Sequence, residues 1–215
     1  MDQTELITTG LEILNSVISL ALVKAGQSLA EMSGREISLE GPGLKMLPIQ
    51  EFTNLAGGAD IPVVAIYLNV TGDFEGHLML LFPLVQIPEL VNMVLGDIDV
   101  GDMSSPLENE VCCSVLGELG NVVGTSFLNV LGNKLEMVFL PSVPYILTDY
   151  SGSILSSLAL QAASLGEEYW DNALIVNTRF NEIDKKVHGF FLLLPQPGTF
   201  TEFLSKVVAI KHGSS

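Results

Sequence analysis

A glutamate and an asparagine, Glu118 and Asn121, stand at i and i+3 in a stretch that begins near residue 107 and has helical periodicity. That spacing projects the two side chains next to each other from one face. An ionised Glu offers only acceptors, whereas an Asn amide offers an acceptor and donors. The pair is no nucleophile, because it lacks a Ser–His or Cys–His couple. It is a poor metal site, because a hard cation asks for several oxygen ligands. What it can do is hold a cationic group with Glu118 and orient a water molecule with Asn121. A solvated polar face is the plain alternative for any isolated pair of this kind. At about 100° per residue, Glu110, Ser114, Glu118, Asn121 and Thr125 fall within about 80° of arc. Leu116, Leu119, Val123, Phe127 and Val130 lie opposite, as a core-facing stripe.

Three glycines, Gly117, Gly120 and Gly124, interrupt the same helix. Each costs about 1 kcal/mol relative to alanine inside a helix, so close approach of another backbone is expected to offset them. Either a neighbouring element of this chain packs there, or the glycines form a low surface on which Glu118 and Asn121 stand up. On the second reading Ser114, Gly117 and Gly124 touch a partner. The remaining reactive residues do not gather. His77, His188 and His212 share no ligand spacing. Cys112 and Cys113 are adjacent, a poor geometry for a disulfide, and read as packing groups. GGAD at 57–60 lacks the Lys-Ser/Thr of a phosphate loop. Trp170 is a lone tryptophan without an assigned role.

The 215 residues carry 9 Lys plus Arg against 25 Asp plus Glu, a formal charge of −16, with 48% hydrophobic residues. That balance excludes a disordered chain and an electrostatic footprint for nucleic acid or anionic lipid. No run of about 18 unbroken apolar residues occurs, so no membrane span is expected. The start, MDQTELITTG, is not a secretory signal. A cytoplasmic protein is expected.

Two similar series of elements must position the pair. Residues 1–33 read as a helix that Gly34 ends, followed by an extended run at Glu36–Glu40. Pro62–Val70 and Gly76–Phe82 read as strands around the turn Thr71-Gly72-Asp73, and Pro88–Leu95 as a helix. After a polar linker at Asp99–Pro106 the order recurs. A helix covers 107 to about 131, a short strand Glu136–Leu140, a small-residue helix Ser151–Leu165, strands Leu174–Phe180 and Val187–Leu194, and a helix Thr199–Val208. GDFEGHLMLLFP (72–83) lies over NEIDKKVHGFFLLLP (181–195). The expectation is one α/β (α+β) domain over 1–215 with pseudo-repeats at about 1–98 and 107–210. Its pseudo-twofold duplicated unit gives an antiparallel six-stranded sheet flanked by long helices.

SVLGELGNVVGTSFLNVLGNKLEM (114–137) resembles the CheC/CheX/FliY family of chemotaxis response-regulator phosphatases. The family signature is Asp or Ser, three residues, Glu, two residues, Asn, and a proline about twenty-two positions on. Here it reads Ser114, Glu118 and Asn121, with Pro141 and Pro144 bracketing the proline. Two copies of the unit favour a CheC-like chain. The first copy departs from the pattern: counting back from Gly34 places Ser16 and Ser19 where Glu and Asn belong. An alternative register, one turn earlier, reads Thr8, Glu12 and Asn15.

The resemblance implies hydrolysis of the aspartyl phosphate on a phosphorylated CheY-like response regulator. The partner would supply the phosphoaspartate, a lysine and the magnesium ion, so no cofactor or metal need bind this chain. Glu118 would pair with the partner's lysine and Asn121 would orient the attacking water, with positioning dominating catalysis. Competing roles are a non-catalytic flagellar-switch-like module or an adaptor for the deamidase CheD. Because response regulators commonly have acidic pockets and this chain is acidic too, docking is expected to improve with salt.

Overall fold

The computed structural model describes residues 2–213 apart from 48–50, 52, 53, 55, 56, 97, 104, 155, 158–172 and 197. The chain opens on α1 (Gln3–Ser33), whose N-cap Asp2 accepts a hydrogen bond from the Glu5 amide and whose C-cap Gly34 adopts φ 68°. That positive φ is the left-handed cap for which glycine is suited. Then come β1 (Ser38–Glu40), β2 (Leu44–Leu47), β3 (Pro62–Gly72), β4 (Gly76–Pro83) and α2 (Ile87–Leu95). A short 3-10 turn at Pro106–Glu108 leads into α3 (Glu110–Leu135), which carries the Glu–Asn pair. The second series continues with β5 (Phe139–Pro141), β6 (Tyr145–Tyr150), β7 (Ala173–Glu182), β8 (Lys185–Pro195) and α4 (Phe200–Gly213).

The strands form one antiparallel sheet in the order β1-β7-β8-β4-β3-β5, with β2 also on β7 and β6 also on β3. The expected six strands describe its width, and the described sheet has eight because two short strands share each edge. β2 and β6 were not expected from the sequence. Both are short, and their residues are half-buried or exposed with no fully buried face, so neither shows the apolar alternation that marks a strand. Central β4 and β8 pair from Gly76↔Pro195 to Leu81↔Phe190, which joins the two series through one ladder. Their near-continuous apolar runs follow from burial on both faces. Of the small-residue helix expected at Ser151–Leu165, residues 151–154 and 156–157 are helical, and 158–172, with Trp170, lie outside the described residues.

One face of the sheet carries the helices. Ile66, Leu68, Leu78, Leu80 and Phe191 meet Leu116, Leu119, Val123 and Phe127 of α3 and Leu14, Ile18 and Leu22 of α1 in a single cluster. On length and hydropathy alone α1 and α3 reach the range of membrane-crossing helices, although neither contains an unbroken apolar run. Both instead lay one face in this core. They also meet each other, with the Ser28 and Ser126 hydroxyls 3.0 Å apart.

The two long helices are copies in register. Gly34 and Glu136, 102 positions apart, both form left-handed C-caps. All eight buried residues of α1 fall on buried residues of α3 at that same offset, from Gly10 on Cys112 to Leu29 on Leu131. Within this frame Gly120 takes the place of Ile18 and Gly124 that of Leu22. A Cβ on Gly120 would lie 2.3 Å from Ile66 Cγ2, and one on Gly124 3.1 Å from Leu68 Cδ2. These two glycines are therefore packing devices: they let α3 settle onto β3.

Two outcomes are expected. Gly120→Ala overpacks this contact and destabilises the fold by about 1–3 kcal/mol in urea unfolding, despite alanine's better helix propensity. On the other sheet face His77 contacts the Tyr67 hydroxyl through Nδ1, and burial lowers its pKa to about 4. An unfolded histidine titrates near 6.5. Between those values the unfolded chain takes up a proton and the folded one does not, so His77's contribution is present above pH 6.5 and is lost as pH falls towards 4. The urea midpoint should fall over that interval, and fall less for His77→Phe.

Candidate functional site

Glu118 and Asn121 both stand exposed on α3. Among the described residues neither has a hydrogen-bond or ion-pair partner. Ser114, one turn before Glu118, is exposed too, and its hydroxyl donates to the Glu110 carbonyl at 2.8 Å. The three side chains form a polar strip along the solvent side of a helix whose other side is locked onto the sheet.

The three glycines divide by function. Gly120 and Gly124 face inward, as shown above. For Gly124 this corrects the expectation of partner contact: it is buried against Leu68 and Leu78 and cannot be reached. Gly117 differs. A Cβ there would have one neighbour within 4 Å, Ile146 Cδ1 at 3.9 Å. Packing within this chain does not require a glycine at 117, so its helix cost is not offset internally. Its effect is a low, half-exposed saddle beside Asn121.

β6 supplies the far wall of that saddle. Pro144 reaches Gly120, where a Cβ would sit 3.3 Å from the proline Cβ, and Ile146 lies opposite Gly117. Pro144 thus lies against α3, whereas Pro141 ends β5 and pairs with Val70. The sequence reading missed Ile146. Its only signal was the β-rich run YILT at 145–148.

The helix start is pinned. Asn109 accepts from the Cys112 amide and donates from Nδ2 to the carbonyls of Val100 and Asp102, at 2.8 and 3.1 Å. Burial pushes the Cys112 thiol up to about 11, and the Cys113 thiol donates to the Pro106 carbonyl. A thiol so raised is protonated near neutrality and is no nucleophile. Among the described residues no three His, Cys, Asp or Glu side chains converge as a metal site.

The corresponding place on α1 is built differently. At the 102-residue offset Ser114, Gly117, Glu118 and Asn121 correspond to Glu12, Asn15, Ser16 and Ser19. The register that begins at Ser16 and Ser19 is therefore the structural one. Asn15 is no counterpart of Asn121. It occupies the position of Gly117, fills the saddle, and accepts from the Leu44 amide through Oδ1 at 2.7 Å. Gly43, at φ 118°, lies directly against it. Ser19 donates back to the Asn15 carbonyl. Thr8 likewise donates to the Thr4 carbonyl, and Glu12 is an exposed surface residue.

No protein-family model matches the chain. It is 29% identical over 188 residues to the CheY-P phosphatase CheC of Bacillus subtilis, an alignment that covers 85% of this chain and 87% of that protein. Its fold matches the crystal structure of Thermotoga maritima FliY with a TM-score of 0.68 at 12% identity, over 94% of this chain and 97% of that one. The FliM middle domain from H. pylori superposes with a TM-score of 0.61 at 10% identity, over 92% and 98% of the two chains. In sequence the chain is similar to CheC, and in fold to FliY and the FliM middle domain. Of its two long helices, α3 carries the Glu–Asn pair, and α1 has Ser16 and Ser19 at the corresponding positions, with Asn15 in place of Gly117.

Asn15→Ala should remove the hydrogen bond to Leu44 and cost about 1 kcal/mol of stability. Asn121→Ala should leave the unfolding midpoint unchanged. Chemical denaturation of the two variants checks the assignment of one as structural and the other as free.

Proposed function

We propose that this chain hydrolyses the aspartyl phosphate of a CheY-like response regulator in chemotaxis. The observation that carries the reading is the exposed, unengaged Glu118–Asn121 pair beside the open saddle at Gly117. The likeness to a protein named as a CheY-P phosphatase supports it.

The chemistry asks little covalent work of the chain. Water attacks phosphorus, the bond from phosphorus to the aspartyl oxygen breaks, and the aspartate leaves as a carboxylate with release of inorganic phosphate. In such a transfer positioning and electrostatics supply most of the acceleration. The Asn121 carboxamide accepts a hydrogen bond from the water and holds it in line. It is neutral, so it can enter an acidic pocket without the penalty a carboxylate would meet there. Glu118, one helical turn away, is suited to an ion pair with a partner ammonium and so sets the register of docking. Gly117 lets the partner's surface come close to the α3 backbone. Ser114 extends the strip in the direction of the helix start. The metal and the phosphorylated residue belong to the partner.

A non-catalytic docking module would need the same exposed strip. It would not need Asn121, and the two roles separate on that residue. Phosphate release from a CheY-type regulator charged with acetyl phosphate is the test. Asn121→Ala should lower kcat by roughly a hundredfold with KM little changed. Glu118→Lys should raise KM by about tenfold, because it replaces an attraction with a like charge. Undiminished release by Asn121→Ala would remove the catalytic reading. Because both partners are acidic, KM should fall rather than rise as salt is added.

A further inference from the structure

The gap between α3 and β6 is treated differently in the two copies at matching positions. At the 102-residue offset Asn15 and Leu44 of the first copy correspond to Gly117 and Ile146 of the second. In the first copy the Asn15 side chain spans from helix to strand and accepts from the Leu44 amide. In the second, among the described residues, a Cβ on Gly117 would meet Ile146 Cδ1 at 3.9 Å and nothing closer. Alanine would therefore fit at 117 in ordinary van der Waals contact and would favour the helix. Packing within this chain does not account for the glycine.

The border of the gap is apolar. Ile146 pairs with Ile66, whose Cγ2 lies beneath Gly120, so Ile146 is on the strand face turned to α3. Pro144 stands against Gly120. Val143, 87% exposed, takes the position of the first copy's Gly41. Towards the helix start, the turn at Pro106–Glu108 packs against both β6 and α3, and its Leu107 is 46% exposed. An apolar edge thus runs beside Ser114 and Asn121 on their β6 side.

Asn121 lies one turn beyond Gly117 on the same side of the helix, about 6 Å along the axis. A protein surface pressed onto Asn121 therefore extends over Gly117 and Ile146. On the reading proposed above, that surface belongs to the response regulator and surrounds an acidic pocket, while this chain carries −16. Attraction at long range is absent, so affinity has to draw on apolar area removed from water. The edge along β6 is the apolar area that such a surface meets first.

We infer that the gap between Gly117 and Ile146 is the seat for an apolar side chain bordering the regulator's phosphorylated pocket, with Leu107 on the side of the helix start and Val143 on the side of Gly120. The inference rests on the phosphatase reading. It assigns affinity to the seat and chemistry to Glu118 and Asn121, and it makes Gly117 a residue that favours docking over stability.

The test sets the two against each other. Phosphate release from the acetyl-phosphate-charged CheY-type regulator is measured, with kcat and KM separated, for wild type, Gly117→Ala, Gly117→Asn, Val143→Glu and Val143→Lys. Ile183→Glu is the control, at the exposed tip of the β7–β8 hairpin and across β8, β4 and β3 from β6. Urea midpoints are taken on each. Gly117→Ala should raise the midpoint and yet raise KM about tenfold, because the added methyl occupies the seat. Gly117→Asn, which installs the first copy's side chain, should raise KM further. Both Val143 variants should raise KM about fivefold, and Ile183→Glu should match wild type. A wild-type KM in Gly117→Ala overturns the seat and leaves the phosphatase reading intact. So does a lower midpoint in that variant, which would make Gly117 a packing device like Gly120. A fall in KM for Val143→Lys against a rise for Val143→Glu would make the border electrostatic and also overturns it. Absence of phosphate release by wild type defeats the phosphatase reading, and the seat with it.

Discussion

Gly120 lies so near Ile66 that a single methyl group would come within 2.3 Å of it. That contact sets the depth at which α3 rests on β3, and Gly124 against Leu68 repeats it one turn later. A helix seated by two glycines cannot roll, because either direction would bring larger side chains into the sheet. Its outer face is then fixed as firmly as its inner one. Glu118, Asn121 and Ser114 are presented by helix backbone instead of by a loop, which is what the proposed positioning role asks for. The helix propensity lost at the inner glycines is recovered as packing; at Gly117 it is not recovered within this chain, and the open saddle remains.

The first copy of the unit shows what happens when that constraint is released. Ile18 and Leu22 stand where Gly120 and Gly124 do, so α1 is buttressed by side chains. Asn15 bridges to the Leu44 amide, a link from helix to strand that α3 lacks at Gly117. Serines occupy the two motif positions. The hydrogen bond that stabilises this half stands where α3 leaves the space above Gly117 open. One copy has kept an open surface and the other has closed it with an internal bond.

The repeat was readable in the letters because β4 and β8 are buried on both faces and hence nearly uninterrupted apolar runs. The helix bearing Glu118 and Asn121 was readable for the opposite reason: its polar and apolar residues segregate cleanly by angle. The glycines were harder. Gly117, Gly120 and Gly124 look alike in a sequence, and only the distance from each to the sheet separates two packing contacts from one opening. Strand β6 was hidden because its residues are half-buried or exposed and sit at an edge. With it went Ile146 and the place of Pro144 against Gly120. Asn15 misled for a related reason. At motif spacing it resembles a site residue, and its engagement with Leu44 exists only once β2 folds against α1.

Each border of the sheet is divided. β7 is flanked by β1 and β2 with Gly41-Pro42-Gly43 between them, and β3 by β5 and β6 with Ser142 to Pro144 between them. The outermost strands run for no more than six residues before the chain turns away. An unbroken outer strand is a template onto which a foreign strand can zip. Among the described residues the outward row of amides and carbonyls is too short and too often bent to seed that growth. A protein in which nearly half the residues are hydrophobic thus stays guarded against fibril-like stacking at its two rims.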